Sequence, residues 1–311
     1  MNDLGLLVAP SPTPARPGPG PIPERSVETL EMPVGRRIHG LLPGDDPAVA
    51  IGRGLEIDRV RPYVPGDDVR RIDWNVTART GETHVREDVP ERQLTTWILL
   101  DRSASMHFGT ADRRKADVAA GAAAVLGRVA TRRANRLGVI TFGDGPEKVT
   151  IPRAARPGFL GVVTALRAPL REDGGGSTSP ARALSLVAGT RSIRGLVVIV
   201  SDFRGPLDWL PQLADVAGRH QVLAIEVADP REDELVDVGE LALVDPETGA
   251  LLRVDTGDRQ LRESFAAAAA SERAALVREL RRLRVGHIRL TTSGAWLPTL
   301  VRHLGGKGRP A

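Results

Sequence analysis

The sequence predicts an α/β protein with a doubly wound, mostly parallel sheet, and two observations support this prediction. From about residue 95 onward, short apolar runs alternate with longer stretches of helical periodicity, which is the pattern of βαβ units. The runs Trp97–Leu100 and Leu196–Val200 are continuously apolar, as expected for parallel strands that are buried on both faces. Crossover helices should then cover both sides of the sheet.

Each element of this domain can be placed in chain order. Strands are predicted near residues 96–101, 137–142, 147–151, 195–202, 221–228, 241–245, 251–254 and 286–291. Helices are predicted over residues 113–134, 157–168, 179–189, 208–218, 258–284 and 295–304. The longest helix carries Leu276, Leu280 and Leu283 at helical spacing, so one of its sides should face the core. The alanines between Val118 and Leu126 predict that the first helix packs closely on the sheet.

Three regions of different composition divide the chain. Residues 1–30 are rich in proline, which disrupts both helices and strand ladders, so a disordered tail is predicted. Residues 31–94 consist of short, charged segments separated by turn residues, and we predict a small, mostly extended β-rich subdomain there. Residues 95–305 form the predicted α/β domain.

The composition argues against several classes of protein. The 311 residues include no cysteine, so disulfides and thiolate metal sites are excluded and a cytoplasmic location is expected. The six histidines lack the spacing of a zinc centre. The net charge is only +4 and aromatic residues make up 3%, which is atypical of a nucleic-acid-binding surface. No apolar run reaches the roughly 18 residues that a membrane span needs.

The strongest chemical signal is Asp101-Arg102-Ser103-Ala104-Ser105, which follows the apolar run of the first predicted strand. This loop offers one carboxylate and two hydroxyls, and such oxygen ligands suit Mg²⁺, Mn²⁺ or Ca²⁺. The alternative interpretation is that the aspartate and serines only cap the helix that follows.

Two further loops offer oxygen ligands in suitable places. The glycine-rich stretch 174–178 ends in Thr178 and precedes a predicted helix, and the strand at 195–202 ends in Ser201-Asp202. Because the carboxyl ends of parallel strands meet at one edge of a sheet, Asp101, Thr178 and Asp202 can converge on one cation.

The set Asp101, Ser103, Ser105, Thr178 and Asp202 resembles the metal-ion-dependent adhesion site of von Willebrand factor A (vWA) domains at all five positions. The resemblance implies a vWA or Rossmann-like fold. It also implies that the serines and the threonine bind Mg²⁺ (or Mn²⁺ or Ca²⁺), while the aspartates act directly or through water. A sixth position on the ion would stay open for an Asp or Glu of a partner.

The segment before this loop, residues 52–79, is dense in alternating charge and has a tight turn at Pro65-Gly66-Asp67. We interpret it as an edge hairpin with paired Arg and Asp side chains and a buried Trp74, although a recognition surface beside the metal would share this pattern. The signature Gly66-Asp67-Asp68 followed by Arg70-Arg71-Ile72-Asp73-Trp74, with the Asp101 loop, resembles a bacterial vWA-like family, domain-of-unknown-function family fifty-eight. That resemblance implies a MoxR-type AAA+ ATPase, or its client, as partner.

We therefore predict a non-enzymatic, cation-dependent protein-interaction module that works with such an ATPase in the assembly or maturation of a client complex. The alternative function is a metal-dependent phosphoester hydrolase that uses the same cation. A haloacid-dehalogenase-type phosphatase would need a second acid where Ser103 stands. Neither a phosphate-binding P-loop nor a GxSxG nucleophile motif is present.

Overall fold

The computed structural model describes residues 14–28, 59–87, 94–131, 135–143, 145–168, 179–190, 194–244 and 251–305. Contacts divide the chain into two compact units. Of the described residues, 59–87 belong to the smaller unit and all others to the larger one.

The smaller unit contains a hairpin-like pair of strands and one short helix. Strands β1 (Arg59–Pro62) and β2 (His84–Glu87) are antiparallel, and helix α1 spans Trp74–Thr80. The predicted charge pairing is present, because Arg61 donates to both carboxylate oxygens of Asp67 at 2.7 Å.

Two expectations for this unit are wrong. The stretch 74–80 is helical rather than extended, because Asp73 caps the helix by accepting from the N–H groups of Asn75 and Val76. Gly81 ends it with a left-handed backbone at φ 77°. Trp74 is not buried, since its side chain is 70% exposed.

The larger unit alternates strands and helices. Its elements are β3 (Thr95–Asp101), α2 (Lys115–Ala130), β4 (Arg136–Phe142), β5 (Lys148–Ala154), α3 (Ala155–Arg167), α4 (Ala181–Ala188), β6 (Leu196–Ser201), α5 (Leu210–Ala217), β7 (Gln221–Ala228), β8 (Glu240–Val244), β9 (Leu251–Asp255), α6 (Arg259–Arg282), β10 (Gly286–Thr291) and α7 (Trp296–Gly305). Every strand and helix predicted for residues 95–305 is present, with bounds that differ by a few residues at most; the predicted ends at 132–134 and 245 lie outside the described residues.

Six of these strands form one sheet in the order β10-β7-β6-β3-β4-β5. All neighbours are parallel except β5, which is antiparallel to β4 at one edge. The predicted doubly wound, mostly parallel sheet is thereby confirmed. Strands β8 and β9 do not join this sheet and form a separate two-stranded ribbon.

Apolar side chains cover both faces of the sheet, as the continuous apolar strands require. Ile98 of β3 and Val198 of β6 point to the face that is packed by helices α2, α3 and α7. Leu99 and Val197 point to the opposite face, against α4, α5 and the end of α6. No described helix combines the length and the apolar character needed to cross a membrane.

The order of the strands places a crevice between β3 and β6. From β3 the chain proceeds through β4 and β5 to one edge, and from β6 it proceeds through β7 and β10 to the other. The direction of winding therefore reverses between these two neighbours, and in open α/β sheets ligands bind at the carboxyl ends of the strands beside such a reversal. The loops after Asp101 and Ser201 lie at this point.

The expectation of a disordered tail over residues 1–30 is wrong for the described part of it. The Arg16 N–H donates to the Asp112 carbonyl at 2.7 Å, and the carbonyls of Gly18 and Pro19 accept from side chains of the larger unit. Val27 is 3% exposed and belongs to the core under α2. Proline removes a backbone donor but leaves its carbonyl free to accept, so this segment is held by separate hydrogen bonds, two of them accepted by backbone carbonyls, rather than by a ladder.

Deletion of residues 1–28 should lower the free energy of unfolding by about 2–4 kcal/mol. It exposes the site of one buried valine and removes the hydrogen bond from the Trp296 indole to Pro19 (2.9 Å). Urea denaturation of both proteins measures this loss. Deletion of residues 1–13 is the control, because it keeps every contact named above, and equal midpoints for the two deletions would contradict the role given to 14–28.

Candidate metal centre

The first loop of the site is built on the end of β3. Asp101 is the last residue of the strand, and a single 3-10 turn follows at Ala104–His107. The Asp101 Oδ1 accepts from the Ser103 N–H at 2.9 Å, and the Ser103 and Ser105 hydroxyl oxygens are 3.0 Å apart. All three side chains are buried. The loop therefore gathers one carboxylate and two hydroxyls in a small volume.

Capping does not explain these residues fully. Helix α2 begins only at Lys115, and its first turn is capped by Asp117, whose carboxylate accepts from the Arg114 N–H at 3.0 Å. Asp101 bonds the short turn that follows it but not the start of α2. Arg102 lies between Asp101 and Ser103 in the sequence but does not share their role, because its guanidinium donates to the Ala165 carbonyl at the end of α3.

The second loop follows β6 and is tied to the first. The Ser201 hydroxyl donates to the Asp101 Oδ2 at 2.5 Å and accepts from the Phe203 N–H at 3.0 Å. The Ser105 hydroxyl lies close enough to the carboxylate of Asp202 to contribute to the lowering of its pKa. Hydrogen bonds therefore join the two strand ends side by side, as their neighbouring places in the sheet predict.

The second loop has a strained backbone at Phe203, and an aromatic contact holds it in shape. Phe203 has a left-handed backbone at φ 53°, a conformation that is costly for a residue with a large side chain and is found mainly at functional sites. Its ring packs on Trp209 with centroids 5.6 Å apart. This contact fixes the turn that carries Asp202.

The structure brings together four of the five predicted ligands: Asp101, Ser103, Ser105 and Asp202. Thr178, the fifth, lies outside the described residues. The glycine-rich stretch that precedes Thr178 lies outside them as well.

A buried lysine, which the sequence reading missed, completes the surroundings of the site. The Lys115 ammonium donates to the Asp202 Oδ2 at 2.7 Å and to the Glu232 Oε1 at 2.5 Å. Its side chain is 0% exposed. The charges of Asp202 and Glu232 outweigh the effect of burial and raise the pKa of Lys115, so it stays protonated.

The two aspartates differ in their protonation. Burial raises the pKa of Asp101, and the neighbouring charge of Asp202 raises it further, to about 7. Burial also acts on Asp202, but the Lys115 ammonium outweighs it and holds the pKa of Asp202 below its ordinary value. The site therefore holds one firmly ionised carboxylate beside one that resists ionisation.

The described side chains suit a hard divalent cation by their chemistry. All four are oxygen donors, without nitrogen or sulfur. No group of three or more His, Cys, Asp or Glu side chains in the described part of the chain is placed to hold a metal. A cation here would thus depend on serine hydroxyls as much as on carboxylates.

Three residues of the site were not found from the sequence: Ser201, Lys115 and Glu232. Lysine occurs only at positions 115, 148 and 307 of a chain that otherwise uses arginine, and this contrast could have pointed to Lys115. Ser201 stands directly before Asp202. Glu232 lies in a turn far along the chain, and no local pattern connects it to the site.

Strand order and loop positions together define a doubly wound α/β domain with its candidate site at the switch point. The chain belongs to the family described as "Protein of unknown function DUF58", whose model matches residues 59–275. The family predicted from the Asp67 and Asp101 motifs is thereby confirmed.

Two mycobacterial proteins are similar to this chain in sequence. An uncharacterized protein of Mycobacterium tuberculosis (strain H37Rv) is 40% identical over 289 residues, which are 92% of this chain and 90% of that protein. An uncharacterized protein of Mycobacterium avium is 46% identical over 118 residues, 38% of this chain and 69% of that protein.

Two crystal structures were also matched. The conserved hypothetical protein BatB from Bacteroides thetaiotaomicron has a TM-score of 0.44 at 14% identity, and the match covers 68% of this chain and 97% of that one. The SpRpn10 VWA domain has a TM-score of 0.39 at 15% identity, and the match covers 70% of this chain and 100% of that one.

Gly143→Ala should disturb the candidate site without removing a ligand. A Cβ there would lie 2.8 Å from the Ser103 nitrogen and 2.9 Å from the Asp101 Oδ1. Gly145→Ala is the matched control, because its φ of 82° is close to the 87° of Gly143 but its Cβ would meet nothing within 4 Å. Both variants should lose about 1 kcal/mol to backbone strain.

Only Gly143→Ala should lose more stability than that and also bind Mn²⁺ at least tenfold more weakly. Urea denaturation and calorimetric titration of both variants make the comparison. Equal behaviour of the two variants would show that the Asp101 loop is not packed against Gly143 as described.

Asp101→Asn should change the pH dependence of stability in the metal-free protein. The folded-state pKa of about 7 lies above the ordinary value of 3.8. The folded state thus binds more protons between these values, and the free energy of unfolding falls as the pH rises from about 4 to about 7. The asparagine removes this fall while it keeps the shape of the carboxyl group.

The melting temperature of Asp101→Asn should therefore exceed that of the wild type by a few degrees at pH 8 and equal it near pH 4. Calorimetric scans in EDTA at both pH values measure this difference. A large loss of melting temperature at both would instead mean that the Asp101 carboxylate mainly holds its turn together.

Proposed function

We propose that this protein is a non-enzymatic interaction module whose site binds a divalent cation, Mg²⁺ (or Mn²⁺ or Ca²⁺), and recognises an acidic side chain of a protein partner through it. The supporting observation is the convergence of Asp101, Ser103, Ser105 and Asp202 at the switch point of the sheet. Thr178 belongs to the proposed ligand set by its place in the sequence motif.

The ligand chemistry explains why a partner would be needed. Hydroxyl groups are neutral donors, so an ion held by two serines keeps most of its positive charge. A carboxylate from outside the chain can then bind it directly, which is stronger than an exposed salt bridge. The carboxylates of the site compensate the ion only in part, because Asp202 already shares its charge with the Lys115 ammonium.

By its family resemblance, the proposed partner is a MoxR-type AAA+ ATPase or the client of that ATPase, in the assembly or maturation of a complex. The proposal keeps the cytoplasmic location expected from the sequence. The described part of the site favours binding over hydrolysis, because Asp202 is held in an ion pair with Lys115 and the Ser103 and Ser105 hydroxyls bond one another.

Asp101→Ala should lower affinity for the partner at least tenfold, with a melting temperature that holds or rises. Removal of one of two neighbouring buried carboxylates relieves their repulsion in the metal-free protein. The measurement is a pull-down of a MoxR-type ATPase by the full chain at constant Mg²⁺. A chelator is unsuitable here, because the ATPase itself needs Mg²⁺ for its nucleotide.

Glu263→Ala is the matched control, since it removes an exposed carboxylate that pairs with Arg259 on α6. It should bind the ATPase like the wild type. Unchanged binding by Asp101→Ala would contradict the proposal. Mg²⁺-dependent turnover of p-nitrophenyl phosphate that is lost in Asp101→Ala would support the hydrolase instead.

A further inference from the structure

Lys115 is fully buried, which is rare for a lysine. Lysine is almost never fully buried unless it is paired, and here the whole side chain is inaccessible. Lys115 is the first residue of α2, and its ammonium reaches Asp202 at the candidate metal site. Lys115 thus places a positive charge beside the site that is proposed to bind a divalent cation.

The ammonium is fixed from its other side as well. Glu232 accepts from Lys115 through Oε1 and from the Asp229 N–H through Oε2 at 2.9 Å. Asp229 is itself buried and accepts from the hydroxyls of Thr110 and Thr292 at 2.5 Å each. Every bond in this chain of contacts is buried or half-buried, so the ammonium has little freedom to move away from the site.

The ammonium is also shielded from solvent, because the Lys115 side chain is 0% exposed. The centroid of the Phe108 ring, on the loop that carries Ser103 and Ser105, lies 5.8 Å from the Lys115 nitrogen. Charges in such a medium act on one another more strongly than they do in water. A divalent ion that shares Asp202 with Lys115 would therefore be repelled by it.

The ammonium also restricts the carboxylate that the ion would use. The Asp202 Oδ2 accepts from Lys115, and its Oδ1 accepts from the Arg204 N–H at 3.2 Å. Asp202 is thereby held in one orientation, with part of its charge already compensated.

We propose that Lys115 is a positioning residue that sets the affinity of the site for its cation. It holds Asp202 ready and at the same time weakens the attraction of the site for a divalent ion, so that the ion is bound firmly only when a partner carboxylate completes its coordination. This inference rests on the proposed cation site and adds the reason why that site depends on a partner.

Calorimetric titration of the full chain with Mn²⁺ tests this inference. Lys115→Gln removes the charge but keeps amide donors for Asp202 and Glu232, and it should bind Mn²⁺ at least tenfold more tightly than the wild type. Glu232→Gln leaves the lysine charge without its second partner, and it should bind Mn²⁺ at least threefold more weakly. Arg259→Gln, which removes an exposed charge of the same sign, should leave the affinity unchanged.

The opposite changes in Mn²⁺ affinity expected for Lys115→Gln and Glu232→Gln distinguish this role from a purely structural one. If the ion pair only stabilises the fold, both variants should have a lower melting temperature and the same Mn²⁺ affinity as the wild type. That result would overturn the inference about Lys115 but not the proposed cation site. Absence of Mn²⁺ binding at millimolar concentration in every protein would overturn the proposed function itself. If Lys115→Gln does not fold, the Glu232→Gln affinity decides, and a value equal to or tighter than the wild type overturns the inference.

Discussion

Two carboxylates buried at the ends of neighbouring parallel strands are the constraint on which the candidate site depends. Asp101 ends β3 and Asp202 follows β6, and the sheet forces them together in a place that solvent hardly reaches. Buried like charges are costly unless they are compensated. The two carboxylates are compensated differently. Asp202 pairs with the Lys115 ammonium, whereas Asp101 accepts hydrogen bonds from Ser201 and Ser103 and has a pKa raised to about 7.

The proposed function follows from this unequal compensation. A divalent cation between the two loops would supply the positive charge that Asp101 lacks, and the serine hydroxyls would bind the cation without neutralising it. Such an ion retains the ability to attract an external carboxylate. The strained turn at Phe203 and the bonds that join Ser201 to Asp101 keep the loops in place. The binding chemistry would thus be built into a rigid edge of the sheet and not into a moving segment.

The sequence predicted most of the fold because its signals are local and long. Continuous β-branched runs such as Leu196–Val200 and the leucines of α6 define their elements without reference to the rest of the chain. Helix α1 was missed because seven residues between a cap and a glycine give no periodicity to read. The packing of residues 14–28 was missed because it depends on partners, Asp112 and Trp296, that are distant in sequence. The two serines and two aspartates were found through their spacing, whereas Lys115 and Glu232 meet only in three dimensions.

The most direct test of the account is crystallography of the full chain grown with Mn²⁺, with anomalous diffraction data collected near the manganese edge. The account predicts one strong anomalous peak within about 2.5 Å of the Ser103 and Ser105 hydroxyl oxygens, next to Asp101 and Asp202, with Lys115 still paired to Asp202. A well-ordered Asp101 loop without an anomalous peak, in a crystal that holds millimolar Mn²⁺, would contradict it.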